Sequence, residues 1–434
     1  MASEDLRAAE LAQRAYNAMA AGREDEAARL WSQLHLIAPN NPHALLYMGQ
    51  TAMRRGDDAA AVGFLQRASA AAPQDAIVQL NLAIAMRKVG DLTGEGAAYD
   101  KALVADPYCY PALLGKGEVF ERMGKRRVAA RFFKNALEIE PPGEQMPPQL
   151  AEQFAHARDV VRANSEELGS YLQARLRERK AASAGTKLDR FDQCVGVVLG
   201  QKKIYMHQGN LLNYPALPAI QFFDDDYFPW LAELEAATDT IQGELAQVLE
   251  QDSRTFKPYV AYAPGTPVNQ WQELNHSERW SSYFLWKEGE RIDANCARCP
   301  KTAALMERLP LVDIPGYAPT AMFSVLAPHT HIPPHTGVTN TRLVGHLPLI
   351  VPDKCRFRVG NETRKVVRGK AWFFDDSIEH EAWNDSDETR IILIIDVWNP
   401  LVTEAERPLI RELLSAMREY YREDPPMLGR DRPR

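Results

Sequence analysis

Two stretches that read as strands by alternation stand out along the chain. Residues 341–350 read as a strand with Arg342, Val344 and His346 on one face, and 389–398 as a second with Arg390, Ile392 and Ile394 together. Each places a cation or an imidazole on an otherwise apolar face. Residues 280–286 predict a further strand, and 300–309 a short helix. A single amphipathic helix is predicted over 228–246 and another over 404–422, before a charged tail. Residues 149–180 carry apolar side chains at three- and four-residue spacing, which predicts a long charged helix.

The first 142 residues follow another rule. Pro39, Pro73, Pro107 and Pro141 each lie 34 residues after the one before, as do Gly22, Gly56, Gly90 and Gly124. Ala27, Ala61 and Ala129 form a third column, broken by Glu95, and Ala68, Ala102 and Ala136 a fourth. In-register helix breakers enclosing small residues predict one helix pair per repeat, the small side chains letting the helices approach. These are tetratricopeptide repeats, about four of them, and such a stack offers a groove suited to a protein or peptide partner. The expected organisation is repeats over 1–142, a capping helix and linker over 143–187, a strand-rich domain over 188–403, and a C-terminal helix and tail over 404–434.

Composition narrows the function. The chain has 434 residues, 45% hydrophobic and 25% charged, which fits a globular protein of two or three domains. A net charge of −7 argues against general nucleic-acid binding. The start lacks a basic and apolar signal segment and no run of about 18 apolar residues is present, so a cytoplasmic protein with no membrane span is expected. Five sparse cysteines imply no disulfide framework, and Cys296 and Cys299 read as reduced, incidental thiols.

The histidines are unevenly placed. Five of the ten, His329, His331, His335, His346 and His380, fall between Ala321 and Pro400. A buried cation such as Arg342 or Arg390 is costly unless an anion meets it. A small barrel with one histidine before the Arg342 strand and another before the Arg390 strand can hold a divalent ion by neutral imidazole and a dicarboxylate by arginine. His329 and His331 read as structural. Asp375 and Asp376 read as turn residues, because Asp-Asp-Ser precedes the His380 segment.

Four stretches then carry a resemblance: Phe323-Ser-Val-Leu-Ala-Pro, His335-Thr-Gly-Val-Thr-Asn-Thr-Arg-Leu, Phe374-Asp-Asp-Ser-Ile-Glu-His-Glu-Ala-Trp and Arg390-Ile-Ile-Leu-Ile-Ile-Asp-Val-Trp-Asn-Pro. In this order they resemble the aspartyl/asparaginyl β-hydroxylase family. The resemblance implies an α+β multidomain chain, an all-α repeat solenoid followed by a double-stranded β-helix of jelly-roll or cupin type. It implies Fe(II) as the metal and 2-oxoglutarate and O₂ as cosubstrates, used to hydroxylate an unactivated carbon of an amino-acid side chain in a protein, peptide or small molecule. His335 and His380 match the metal ligands, with Gly337 where most related oxygenases have a carboxylate. Ser324, His346 and Arg390 match the positions that hold 2-oxoglutarate. Trp280 matches an aromatic beside it, and Arg342 a substrate-side arginine. Val344 stands where the animal enzymes carry a second arginine, and Ala303 where they carry a second cysteine, which points to a less acidic substrate. The competing expectation is a repeat scaffold whose barrel is catalytically silent.

Overall fold

A computed structural model describes residues 2–142, 146–183, 185–186, 188–252 and 255–421. The tail expected after the C-terminal helix, residues 422–434, lies outside the described residues. The chain divides into two compact units that meet between Leu188 and Asp189.

The first unit is helical: α1 (Ala2–Ala20), α2 (Glu24–Ile37), α3 (Pro42–Arg55), α4 (Asp58–Ala71), α5 (Ala76–Lys88), α6 (Leu92–Ala105), α7 (Tyr110–Arg122), α8 (Arg126–Glu138) and α9 (Pro148–Ala182). Gly22, Gly56, Gly90 and Gly124 sit between the two helices of successive pairs with φ of 69°, 78°, 74° and 72°. A Cβ at any of them would meet nothing within 4 Å, so the backbone hand, and not crowding, requires glycine there. The repeated prolines follow the second helix of each pair, where the missing N–H ends it. The alanine columns are buried between helices. Glu95, which breaks one column, is fully buried and receives Arg87 Nε at 2.7 Å and the Arg122 guanidinium. Phe154 and Ala157 of α9 pack onto Phe133 and Ala136, so α9 covers the last pair.

The second unit is a β-sandwich flanked by helices α10 (Asp189–Val198), α11 (Leu231–Ala236), α12 (Thr238–Asp252), α13 (Asp293–Arg298), α14 (Pro300–Arg308) and α15 (Glu406–Tyr420). Its strands are β1 (Lys257–Pro258), β2 (Trp280–Lys287), β3 (Glu290–Arg291), β4 (Ala321–Leu326), β5 (Thr330–His335), β6 (Arg342–Ile350), β7 (Cys355–Val359), β8 (Glu362–Lys365), β9 (Trp372–Phe374), β10 (His380–Asn384) and β11 (Arg390–Trp398). One antiparallel sheet runs β1-β2-β4-β11-β6-β9, with β3 on β2, and the other β5-β10-β7-β8. From β4 onward the strands alternate between sheets, apart from the β7–β8 hairpin within the second sheet, in the way that winds a double-stranded β-helix. Both predicted alternating strands are present within one residue of their expected bounds.

Alternation sorts β6 and β11 between two cores. Leu343, Leu347, Leu349, Ile391, Leu393, Ile395 and Val397 pack outward against Leu245, Val248, Leu305 and Met306 of helices α12 (Thr238–Asp252) and α14 (Pro300–Arg308). Each such side chain contributes roughly 1.5–3 kcal/mol by leaving water. Val344, Trp372, Phe374, Phe357 and Leu326 face the interior between the sheets. The helix predicted over 228–246 is two helices, α11 (Leu231–Ala236) and α12, because the Thr238 hydroxyl turns back to Glu235 O at 2.6 Å and restarts the ladder. The C-terminal helix α15 (Glu406–Tyr420) belongs to this unit, burying Ile410 and Leu414 beside Trp398. No helix among the described residues is long and apolar enough to cross a membrane.

Candidate active site

β5 ends on His335 and β10 begins on His380, and the two are partners across the pair. Their rings lie 4.0 Å apart, centroid to centroid. His335 Nδ1 is 2.8 Å from Pro333 O and His380 Nδ1 is 3.0 Å from Ile378 O. A carbonyl can only accept, so each Nδ1 donates, and in the neutral ring the lone pair then falls on Nε2, the form a cation needs. Trp271, Phe357 and Phe374 border the pair, with Trp271 at 5.0 Å from His335 and Phe374 at 5.1 Å from His380.

Gly337 fits the absence of a third ligand at its position. A Cβ there would lie 1.9 Å from Asp376 Oδ2, so any side chain at 337 is excluded by the Asp376 carboxylate. Among the described residues no group of three or more His, Cys, Asp or Glu side chains is arranged to hold a metal. The donor set available is therefore two imidazoles, with a carboxylate nearby.

Further into the barrel lies Arg390, 1% exposed, whose Nε and Nη1 are buried without a hydrogen-bond partner. Burial pushes its pKa down to about 10. His346 Nδ1 and Trp372 Nε1 are likewise buried without partners, and β6 and β9 place these two residues opposite each other. Burial, with Arg390 and His380 nearby, drives the His346 pKa well below its ordinary value, so the ring is neutral. Ser324 on β4 accepts from Trp280 Nε1 at 3.1 Å. A guanidinium and a neutral imidazole with unused hydrogens in a dry interior match the two oxygens of a carboxylate.

Arg342 lies at the centre of an ion-pair cluster. It shares the inward face with Val344 and His346, but its Nη1 donates to Asp396 Oδ1 at 2.8 Å and its Nη2 to Asp376 Oδ2 at 3.0 Å. Burial opposes its charge, yet the carboxylates of Asp376 and Asp396 outweigh it and hold the guanidinium protonated. Both outer nitrogens thus donate to carboxylates of the protein itself. Asp376, read as a turn residue, is one of its partners. Asp375 does hold the turn, accepting from Ser377 N at 3.0 Å and Ser377 Oγ at 2.6 Å.

Other sequence readings fall outside the barrel interior. His329 pairs with Asp387 at 2.9 Å, and His331 with Glu381 at 2.8 Å while stacking on Trp383. Cys296 and Cys299 are buried thiols, and burial pushes Cys299 up to about 12, which leaves it unreactive. Sequence reading missed Asp396, Trp372 and Trp271. Alternation along β11 already put Asp396 on the Arg390 face, whereas the positions of Trp372 and Trp271 depend on strand pairing and a loop.

The comparisons agree with this architecture. Residues 235–400 match the family described as aspartyl/asparaginyl beta-hydroxylase, and residues 18–83 a tetratricopeptide repeat family. The aspartyl/asparaginyl beta-hydroxylase of Homo sapiens is 27% identical over 346 residues, 79% of this chain and 41% of that protein. An ornithine lipid ester-linked acyl 2-hydroxylase of Rhizobium tropici is 38% identical over 199 residues, 45% of this chain and 66% of that protein. The human aspartate beta-hydroxylase domain-containing protein 2 is 31% identical over 209 residues, covering 56% of its length. The chain thus spans about two-fifths of the human hydroxylase it matches. Residues 235–400 are thus similar to the aspartyl/asparaginyl β-hydroxylase family, and a match to tetratricopeptide repeats precedes them.

Proposed function

We propose that the second unit is an Fe(II)- and 2-oxoglutarate-dependent oxygenase that hydroxylates a carbon, and that the repeats bring it a protein or peptide partner. The observation that carries the reading is Arg390, a guanidinium buried without an anion in the same barrel whose strand ends present two imidazoles in the metal-binding tautomer. A silent scaffold has no use for this arrangement, because an unmatched buried cation only weakens the fold.

In this reading His335 and His380 hold the iron. Arg390 would take the distal carboxylate of 2-oxoglutarate by charge-assisted hydrogen bonds from its planar guanidinium, which an ammonium cannot reproduce. Neutral His346 donates to the same cosubstrate. Ser324, oriented by Trp280, offers its hydroxyl, and the Trp280 and Trp372 rings keep water out. Bound iron supplies the redox chemistry by which 2-oxoglutarate, O₂ and R–H become succinate, CO₂ and R–OH.

The substrate side is short of positive charge. Arg342 stands against two carboxylates, Asp376 and Asp396, and Val344 is apolar. A carboxylate entering there would meet a net negative neighbourhood, so the carbon attacked sits in an uncharged chain. Of the relatives, one is named for acting on aspartyl and asparaginyl residues and one on an ester-linked acyl group. The charge arrangement favours the uncharged kind of target. Mass spectrometry of acyl esters and of aspartyl peptides after incubation with Fe(II) and 2-oxoglutarate tests this. An added oxygen on the acyl probe is expected, and exclusive oxidation of the acidic peptide would overturn the substrate reading.

A further inference from the structure

The segment from His207 to Tyr214 joins neither sheet, yet it is bonded to both loops that carry the imidazoles. On one side His207 Nδ1 lies 3.0 Å from Asp375 Oδ2 and 3.1 Å from Ser377 Oγ, and Gln208 N donates to Ser377 O at 2.7 Å. Ser377 is three residues before His380. On the other side Asn210 N donates to Gly337 O at 3.3 Å, and Leu211 N and Leu212 N donate to Val338 O at 3.0 and 3.1 Å. Gly337 is two residues after His335. Tyr214 closes the run, its N donating to Asn340 Oδ1 at 2.7 Å and its O accepting from Asn340 Nδ2 at 2.9 Å.

These bonds fall beside an irregular step in the sheet. The β5–β10 ladder shifts register between His380 and Ala382, beside the imidazole pair. Such an irregularity interrupts the ladder locally and re-aims the side chains beside it. A direct tie joins the loops, Gly337 N to Asp376 O at 2.5 Å, and the crossing segment adds bonds on either side of it. His207 is suited to anchor the crossing. Its Nε2 lies 3.0 Å from Leu217 O, so the ring is tied on one side to the Asp375 turn and on the other to Leu217. Gly209 is needed for a second reason: a Cβ there would lie 2.8 Å from the backbone oxygen of Val338.

We infer that residues 207–214 are a positioning strap for the imidazole pair, with His207 as the positioning residue that anchors it. The strap touches neither iron nor substrate; it sets the separation of the two loops and so the affinity for metal. The inference rests on the reading of His335 and His380 as metal ligands.

The test uses the full chain, freed of metal, with Co(II) as the probe and its visible absorption as the readout. Partners that orient metal ligands typically change affinity 10–100-fold when removed, so His207→Ala is expected to weaken Co(II) binding by about that factor. Gly209→Ala, which presses on Val338 O, should do the same through a different residue. Thr403→Ala is the stability control. It removes the hydroxyl bonded to Glu406 at the start of α15 and should lower the melting temperature while keeping wild-type Co(II) affinity. Unchanged affinity in both strap variants, or an equal loss in the control, would overturn the strap. A wild-type protein that binds no Co(II), or binds it equally well after His335→Ala, overturns the metal reading and the strap with it.

Discussion

Replacing Arg390 by methionine separates what the residue does for function from what it does to the fold. Its pKa falls from 12.5 to about 10 because the guanidinium is buried with no anion beside it. At about 1.4 kcal/mol for each tenfold change in a proton equilibrium, the charged form is disfavoured by roughly 3 kcal/mol. The penalty is in full force at any pH well below 10, since the group is charged in both the folded and the unfolded chain there. Methionine fills most of the same space with apolar atoms, and exchanging a buried ion for a well-packed hydrophobe is often stabilising. Arg390→Met should therefore make the ligand-free second unit more stable, by up to roughly 3 kcal/mol, or on the order of 5–10 °C for a domain of this size. In the wild type, 2-oxoglutarate at about a hundred times its dissociation constant should restore about 2.7 kcal/mol, and in the variant nothing. Calorimetric melting of the full chain resolves this, because only the transition of the second unit should respond to 2-oxoglutarate. A variant less stable than wild type whose transition still rises with 2-oxoglutarate would refute the reasoning.

Other expectations follow from single residues. Arg390→Lys keeps a charge but loses the guanidinium's charge-assisted hydrogen bonds, each worth roughly 1.5–3 kcal/mol, so 2-oxoglutarate titrated at fixed iron should bind tenfold to a hundredfold more weakly. Val344→Arg adds a cation next to Asp376 and Asp396 and should raise turnover of acidic peptides relative to acyl probes, measured by competition between the two. The His207 pKa is raised, chiefly by its bond to Asp375 and against the effect of burial. A group with a raised folded pKa contributes its stability below the unfolded pKa and loses it as pH rises through the folded one. Amide exchange at Gln208, Leu211 and Leu212, corrected for intrinsic rates, should thus accelerate as pH rises through that raised value. Gly56→Ala forces a Cβ into a φ of 78° and should lower the transition of the repeat unit by about 1–2 kcal/mol.

The repeats were legible because their signal is local. Gly56 and Pro73 act on the backbone next to them, and the 34-residue spacing repeats that action. The faces of β6 and β11 were legible for a similar reason, since alternation alone assigns Val344 and His346 to the interior and Leu343 and Leu347 to the outer core. What Arg342 does was not legible. Asp396 shares the inward face of its own strand, but Asp376 reaches Arg342 only after a loop folds back, and no spacing encodes that approach. The split at Thr238 was hidden because one amphipathic pattern runs through both helices. His207 was missed altogether, lying 168 residues from its partner Asp375 (375 − 207) in a stretch with no periodicity.

Oxygen-dependent formation of succinate by the full chain tests the central claim most directly. With Fe(II) and 2-oxoglutarate in air, succinate is predicted to accumulate in the wild type, to vanish under argon, and to vanish in air for His335→Ala and His380→Ala. Succinate that forms equally in the two histidine variants, or wild-type protein that forms none beyond theirs, would contradict it.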